Sequence, residues 1–295
     1  MPLLRTMGRG DARSRPAVAT REGLRRGLGS VAIVLVLSLT LGTAASADDA
    51  LPALEPAPDG VDPLELAREA EKAMRSDTTH MKARMIVRSP RLSSERVVAF
   101  ESWDDLPGKR SLIRISEPSK DKGTGFLKQH PNLWMYVPRV ERTVRIPPSM
   151  MMQSWMGSDF TNDDLVNESS DVEDYVHTML GVDPKAGKNG DVRAYVIEYK
   201  PKEETAVVWG KIVGWVDIET SSPIRQDFYD EDGVAIRTLL FEDVRKQGQR
   251  YVPHRWQLTP LDKEGHRTVI ELELIEFDVE LDDAIFTTRN LKRIH

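Results

Sequence analysis

Alternation of apolar and polar residues dominates the chain from Lys82 onward. In Lys82–Arg88 the residues Ala83, Met85 and Val87 share one face, the period of two expected of a half-buried strand. The same reading gives strands at Arg96–Trp103, Arg110–Ser116, Phe126–Lys128, Leu133–Val137 and Arg142–Ile146. It continues through Asp174–Leu180, Ala194–Lys200, Lys211–Ile218, Ile224–Tyr229, Ala235–Val244, Tyr251–Thr259 and Arg267–Phe277. The connections carry turn residues, among them Gly123-Thr124-Gly125, His130-Pro131-Asn132, Lys188-Asn189-Gly190, Asp230-Glu231-Asp232-Gly233 and Asp262-Lys263-Glu264-Gly265. Successive strands on short turns predict an antiparallel meander. About ten strands behind one leading helix give a mainly β fold with a few helices (α+β): a single strongly curved antiparallel sheet, or incomplete β-barrel, covered by helices.

Helical period is confined to short segments. Pro63–Arg75 places Leu64, Ala67, Ala70 and Met74, with Leu66, near one face, and Glu65, Arg68, Glu69, Glu71 and Lys72 on the other. Asp62 is a good N-cap with proline at the first helical position. Thr161 with Asp164 three residues on resembles a capping box and opens a short helix at Asn162–Asn167. Asp282–Phe286 reads as one helical turn, and the polar tail Thr287–Arg293 as a segment along the sheet edge.

Between Pro147-Pro148 and Gly157 the chain reads Met150, Met151, Met152, Gln153, Ser154, Trp155, Met156. Methionine is flexible and polarizable and suits surfaces that accept variable apolar partners. The segment is either a short buried helix or a mobile apolar flap over a pocket, and the two are compatible because a closed flap is buried. Pro147, Pro148 and Gly157 would be its hinges.

Three features bound the cellular setting. Arg21, Arg25 and Arg26 precede an apolar run at Val31–Leu41, and Ala45-Ser46-Ala47 is a cleavage signature ahead of Asp48. Residues 1–47 therefore read as a cleaved secretory signal with a basic leader, 48–61 as a flexible Pro-rich leader and 62–295 as one β domain. The chain has no cysteine, so neither a disulfide framework nor a lipid-bearing cysteine is present. The first 47 residues hold seven basic and two acidic residues, which leaves 34 basic against 45 acidic beyond them, a formal charge of −11. Such a balance argues against nucleic acid and against stable adsorption on anionic lipid.

Motifs for chemistry are missing. There is no G-x-S-x-G elbow, no cysteine nucleophile and no phosphate-binding glycine loop. The six histidines are scattered singly, without metal-ligand spacing. Asp230, Asp232 and Gly233 begin like a calcium loop, but Val234 and Ile236 occupy the next liganding positions, so a hairpin turn is favoured. The acidic pairs Asp104-Asp105 and Asp163-Asp164 read as turn or helix residues. No catalytic residue, metal or cofactor is expected, and the reading is non-enzymatic.

Several stretches together resemble the periplasmic outer-membrane lipoprotein-sorting family, the LolA-like proteins, and most of all a branch found beside lipid-exporting membrane transporters. They are Gly123–Leu127 (GTGFL), Trp134–Pro138 (WMYVP), Arg142–Ile146 (RTVRI), Trp155–Phe160 (WMGSDF) with Asp164-Leu165, and Phe286–Leu291 (FTTRNL). Trp215–Glu219 with Pro223, and His266–Thr268, match in style. The resemblance implies an incomplete β-barrel closed by helices around an apolar cavity. It implies a monomeric periplasmic carrier that takes an acylated cargo, lipoprotein or lipid, from an inner-membrane transporter or extractor to an outer-membrane receptor.

On that reading Met150, Met151, Met152, Trp155 and Met156 form the lid. Phe126, Trp134, Tyr136, Trp215, Phe228 and Trp256 are candidate cavity-lining residues. Arg139, Arg142 and Arg145 would meet an anionic headgroup or a lid carboxylate. An accessory subunit docking on a transporter and a hydrolase with dispersed catalytic residues remain as alternatives. The lid assignment carries an expectation: Met151→Glu with Trp155→Glu abolishes cargo retention, measured by lipid extraction, and leaves the circular dichroism of the β-fold unchanged.

Overall fold

The computed structural model describes residues 51–166, 171–203, 205 and 209–293. The signal segment lies outside them. Thirteen strands follow one helix, α1 (Pro63–Met74). The first six are β1 (Thr78–Arg88), β2 (Arg96–Asp105), β3 (Arg110–Glu117), β4 (Gly125–Gln129), β5 (Asn132–Val137) and β6 (Arg142–Ile146). After a five-residue helix α2 (Asn162–Val166) come β7 (Tyr175–Ala186), β8 (Val192–Pro201), β9 (Lys211–Asp217) and β10 (Pro223–Tyr229). Then follow β11 (Ala235–Gln247), β12 (Arg250–Pro260), β13 (Arg267–Phe277) and a short α3 (Thr288–Leu291).

All thirteen belong to one antiparallel sheet in the order β6-β5-β4-β3-β2-β1-β13-β12-β11-β10-β9-β8-β7. It consists of two meanders fused along β1 and β13, where Thr79 faces Phe277 and Arg88 faces Arg267. The sheet is not closed: β6 and β7 are its edges. Each of the thirteen segments read as a strand is one, and the approximate total of ten undercounts those same segments.

The expected cover of several helices reduces to one. α1 has Asp62 as N-cap, its carboxylate accepting the Leu64 N–H at 2.9 Å, and buries Ala67, Ala70 and Ala73. These small side chains let the helix sit close on β7, β9, β10 and β12. Its C-terminus is held from the sheet, where the Arg250 guanidinium donates to the carbonyls of Lys72 and Arg75, the favourable place for a cation on a helix. The rest of that face is covered by the segment following β6, which carries Trp155, Phe160, Leu165 and Val166 into the main core with Phe100, Ile113 and Phe126.

The other face is covered by the two ends of the chain. Phe286 and Leu291 pack on Leu112, Leu127 and Tyr136. The fit is close enough that a Cβ on Gly125 would lie 2.6 Å from Leu291, so the tail lies on the face of β4 rather than along an edge. Leu54 packs against the cluster of Ala194, Val196, Val213 and Trp215. Glu55 exchanges two backbone hydrogen bonds with Val182, both 2.8 Å. The described part of the Pro-rich leader thus serves as a cap on the β7 edge instead of a free linker.

That cap depends on Gly181. Its φ is +149°, and a Cβ there would meet the Glu55 carbonyl at 2.6 Å, so any side chain is excluded twice over. Gly181→Val is expected to displace the leader and cost about 1–3 kcal/mol. Hydrogen exchange checks this: the Glu55 and Val182 amides should lose protection while those of β1 and β13 keep theirs.

Candidate ligand-binding cavity

Period-two alternation decides which side chains can reach an interior space. Ile197, Tyr199, Ile212, Val216 and Phe228 face α1, whereas their neighbours Val196, Val213 and Trp215 face the opposite side. On the inner side, α1, the sheet, the segment 160–165 and Asp171 line a cavity of about 230 Å³. A dry cavity of about 150 Å³ suffices to hold a benzene ring. Strands β3 and β8 both contribute to its wall, through Ile113 and Tyr199, although seven strands separate them in the sheet. In a flat sheet they would stand about 38 Å apart. The sheet therefore curls around the helix.

Much of the wall is apolar: Ala67, Ala70 and Met74 from α1, Phe160 and Leu165 from the covering segment, and Phe100, Phe228, Phe241 and Trp256 from the sheet. Carboxylates enter from several elements: Glu71, Asp104, Asp163, Asp164 and Asp171. Burial pushes the Asp104 carboxyl up to about 6, against the pull of Arg75, the Ser102 hydroxyl and Lys128. Burial also raises Asp171, although it accepts the Gln226 amide at 2.7 Å, and raises Glu71 despite Arg75 beside it.

Asp164 goes the other way. Burial opposes its ionisation, but Arg237 and Thr161 outweigh burial and hold it below the usual carboxylate range. Arg237 is 5% exposed and donates from both terminal nitrogens to Asp164, each at 2.7 Å. Its guanidinium lies 4.4 Å from the Trp209 ring centre and 4.2 Å from that of Phe228. Asp164 also accepts the Thr161 N–H at 2.7 Å and hydroxyl at 2.8 Å, while its own N–H donates to the Thr161 hydroxyl at 3.1 Å. The Thr161–Asp164 capping pair read from the sequence is thus also the anchor of the covering segment to β11.

The methionine-rich segment is built around Trp155. This side chain is 0% exposed and lies between Phe100 and Phe126, ring centres 5.4 and 5.5 Å away. The following residues knot the chain beneath it. The Trp155 N–H donates to the Phe160 carbonyl at 2.8 Å, and the Ser158 hydroxyl to the Trp155 carbonyl at 2.7 Å. Asp159 and Thr268 bond each other twice, at 2.7 and 3.0 Å. Met151 and Met156 pack on the main core, and Met150 and Met152 are exposed. The expectation that Trp155→Glu spares the fold fails on this geometry, because a carboxylate would be buried among aromatic rings.

Of the six predicted lining residues, Phe228 and Trp256 face the cavity. Phe126 lies on the same side but is filled over by Trp155. Trp134 and Tyr136 are turned to the other face, with Leu127 and Phe286. So is Trp215, whose indole N–H donates to Asp183 at 3.1 Å and whose ring carries Arg225. Arg139, Arg142 and Arg145 are exposed around the edge strand β6, away from the cavity.

The sequence reading passed over Tyr175, Tyr199, Trp209 and Asp171, and it put Glu71 on the polar face of the helix and Asp104 and Asp163-Asp164 at turn or helix positions, whereas all of them line the cavity. Glu71 falls four residues after Ala67, on the buried side of α1, and Asp104 ends an inward-facing run with Phe100 and Ser102. Those spacings were the available signal. Among the described residues no group of histidine or acidic side chains is arranged to hold a metal, and no helix is long and apolar enough to cross a membrane.

A family model described as that of an uncharacterized protein matches residues 108–293, more than half of the chain. A DUF1329 family protein from Desulfovibrio piger is 25% identical, with 78% of this chain and 100% of that chain covered at a TM-score of 0.68. A domain from Vibrio parahaemolyticus, provisionally termed an outer-membrane lipoprotein-sorting protein, is 25% identical, covering 78% and 98% with a TM-score of 0.65. A LolA superfamily protein from Nitrosomonas europaea shares the fold at 20% identity, covering 78% and 99% with a TM-score of 0.65. No curated protein matches the sequence.

Asp104 provides a direct test of the cavity's polarity. Its folded value near 6 lies above the ordinary 3.8, so the native state binds more protons between the two, and stability falls as pH rises through that window. Asp104→Asn is expected to stabilise the protein by about 2 kcal/mol at about pH 7.5 and by almost nothing at about pH 4. Urea denaturation at the two pH values checks this; equal gains at both would refute the assignment.

Proposed function

The chain belongs to the LolA-like family of outer-membrane lipoprotein-sorting proteins, and on that premise we propose that it is a non-enzymatic periplasmic carrier that shields the apolar part of a lipid or lipoprotein during transfer between membranes. The observation that carries this reading is the cavity of about 230 Å³ between α1 and the curled sheet. An acyl chain gains about 0.8 kcal/mol for each CH₂ removed from water, so a short length of chain in this space holds cargo against the aqueous phase. The knot around Trp155 makes the covering segment a wall, and its exposed tip, Met150 and Met152, is the part free to follow the cargo. The long stem of cargo outside the cavity would lie along that tip; Val140 and Val144, before and in β6, are also exposed.

Those same exposed residues favour a second reading, a subunit docking on an inner-membrane transporter through an apolar patch. The two readings differ in what the interior holds.

The deciding experiment is native mass spectrometry, with organic extraction, of protein purified without detergent from a periplasm. The carrier reading expects a bound acylated species. Ala70→Phe fills the cavity from the helix side and should reduce the bound species at least about tenfold, with the circular dichroism unchanged and a stability cost of about 1–3 kcal/mol. Wild-type protein that is empty and takes up no alkyl probe would favour the docking subunit instead.

A further inference from the structure

An apolar cargo needs no carboxylates, yet the cavity has them. Two of the five are answered by arginines: Asp164 by Arg237 at 2.7 Å and Glu71 by Arg75 at 3.3 Å. Among the described residues Asp171 has no salt-bridge partner, and it accepts from a neutral group, the Gln226 amide at 2.7 Å. Beside it stand two phenols. Tyr175 is 2% exposed and Tyr199 3%; both line the cavity, and their rings pack edge to face with centres 6.5 Å apart. Neither hydroxyl makes a hydrogen bond among the described residues. Neither oxygen is among the fully buried atoms that lack a partner, and both residues line the cavity, so the two hydroxyls are donors and acceptors available to a ligand there. The Asp171 charge acts on both phenols and, with burial, raises both.

We propose that the end of the cavity formed by Asp171, Tyr175, Tyr199 and Gln226, with Glu71 beside it, receives the protonated amine of a cationic amphiphile. The inference rests on the carrier reading of the same cavity and adds the head group that the cavity selects. The chemistry follows from the inventory of groups. An ammonium offers three donors and no acceptor, and this end supplies one carboxylate and two phenol oxygens as acceptors. A charge-assisted bond of this kind is about twice as strong as a neutral one, and it relieves the cost of a buried carboxylate lacking a cation. A carboxylate head would add a further acidic group to a wall that already holds Glu71, Asp104 and Asp171. Arg75 faces this region too, but it is engaged with Glu71. Aromatic faces at Trp209 and Phe228 already stack a guanidinium, that of Arg237, a few ångströms further along the wall.

Three probes with the same eight-carbon body separate head from tail: octylammonium, octanoate and octanol, each titrated into the wild-type protein and followed by the fluorescence of Trp209 and Trp256. The inference expects octylammonium to bind at least about tenfold more tightly than octanoate. It expects that ratio to collapse towards one in Asp171→Asn, with Tyr199→Phe as a second variant that reduces it without altering charge. Octanoate binding as tightly as octylammonium, or an Asp171→Asn variant that keeps the preference, overturns the inference. Binding of all three with equal affinity overturns it while leaving the carrier reading intact, whereas binding of none overturns both.

Discussion

A large sheet that packs on no second sheet has two apolar faces and one chain with which to cover them. That constraint organises this molecule. The inner face is closed by α1, whose alanines allow close approach, and by the segment carrying Trp155 and Phe160. The outer face is closed by the leader, through Leu54 and Glu55, and by the tail, through Phe286 and Leu291. At Gly181 an added side chain would collide with the leader's backbone, and at Gly125 it would force the Leu291 side chain to shift. The cavity is what remains where the inner cover does not quite fill the curl.

The covering segment couples stability to function. Trp155 fills the space between Phe100 and Phe126, and Asp164 ties the same segment to Arg237 on β11. Removing one partner of a buried ion pair typically costs about 3–5 kcal/mol, and truncating a buried tryptophan costs a similar amount, so loss of either tie is destabilising. The segment is therefore fixed at both its aromatic and its ionic end, with adaptability confined to the methionine tip. Met74 and Leu239, which line the cavity, are flexible or branched side chains set in a wall whose backbone is tied down.

Strand positions were legible because alternation survives in nearly every segment, and turn chemistry marks most ends. The β7 strand was cut short at Leu180 because Asp183-Pro184 looks like a turn; in fact the chain runs on to Ala186 through irregular pairing on either side of Gly181 and Asp183. The parity of each strand was not legible. Ile212 and Val213 are equally apolar, and only the helix decides which faces inward. Hence Trp134, Tyr136 and Trp215, chosen for aromatic character, belong to the outer face. The polar end of the cavity escaped notice for a related reason. Glu71, Asp104 and Asp171 come from three distant segments, and an acidic residue near a strand end or on a helix is ordinarily solvated. Their common location is a product of the curl alone.

The seam between the two meanders has a consequence for biosynthesis. β1 and β13 pair from Thr79↔Phe277 to Arg88↔Arg267, so about two thirds of the chain separates the two strands at the centre of the sheet. Neither meander can be joined to the other until the C-terminal strand exists and is free to move. Contacts of such sequence separation make folding slow, and a partly synthesised or partly threaded chain presents two open sheet edges at the very place where the finished molecule has none. Both of those edges are removed in one step, when β13 docks between β1 and β12.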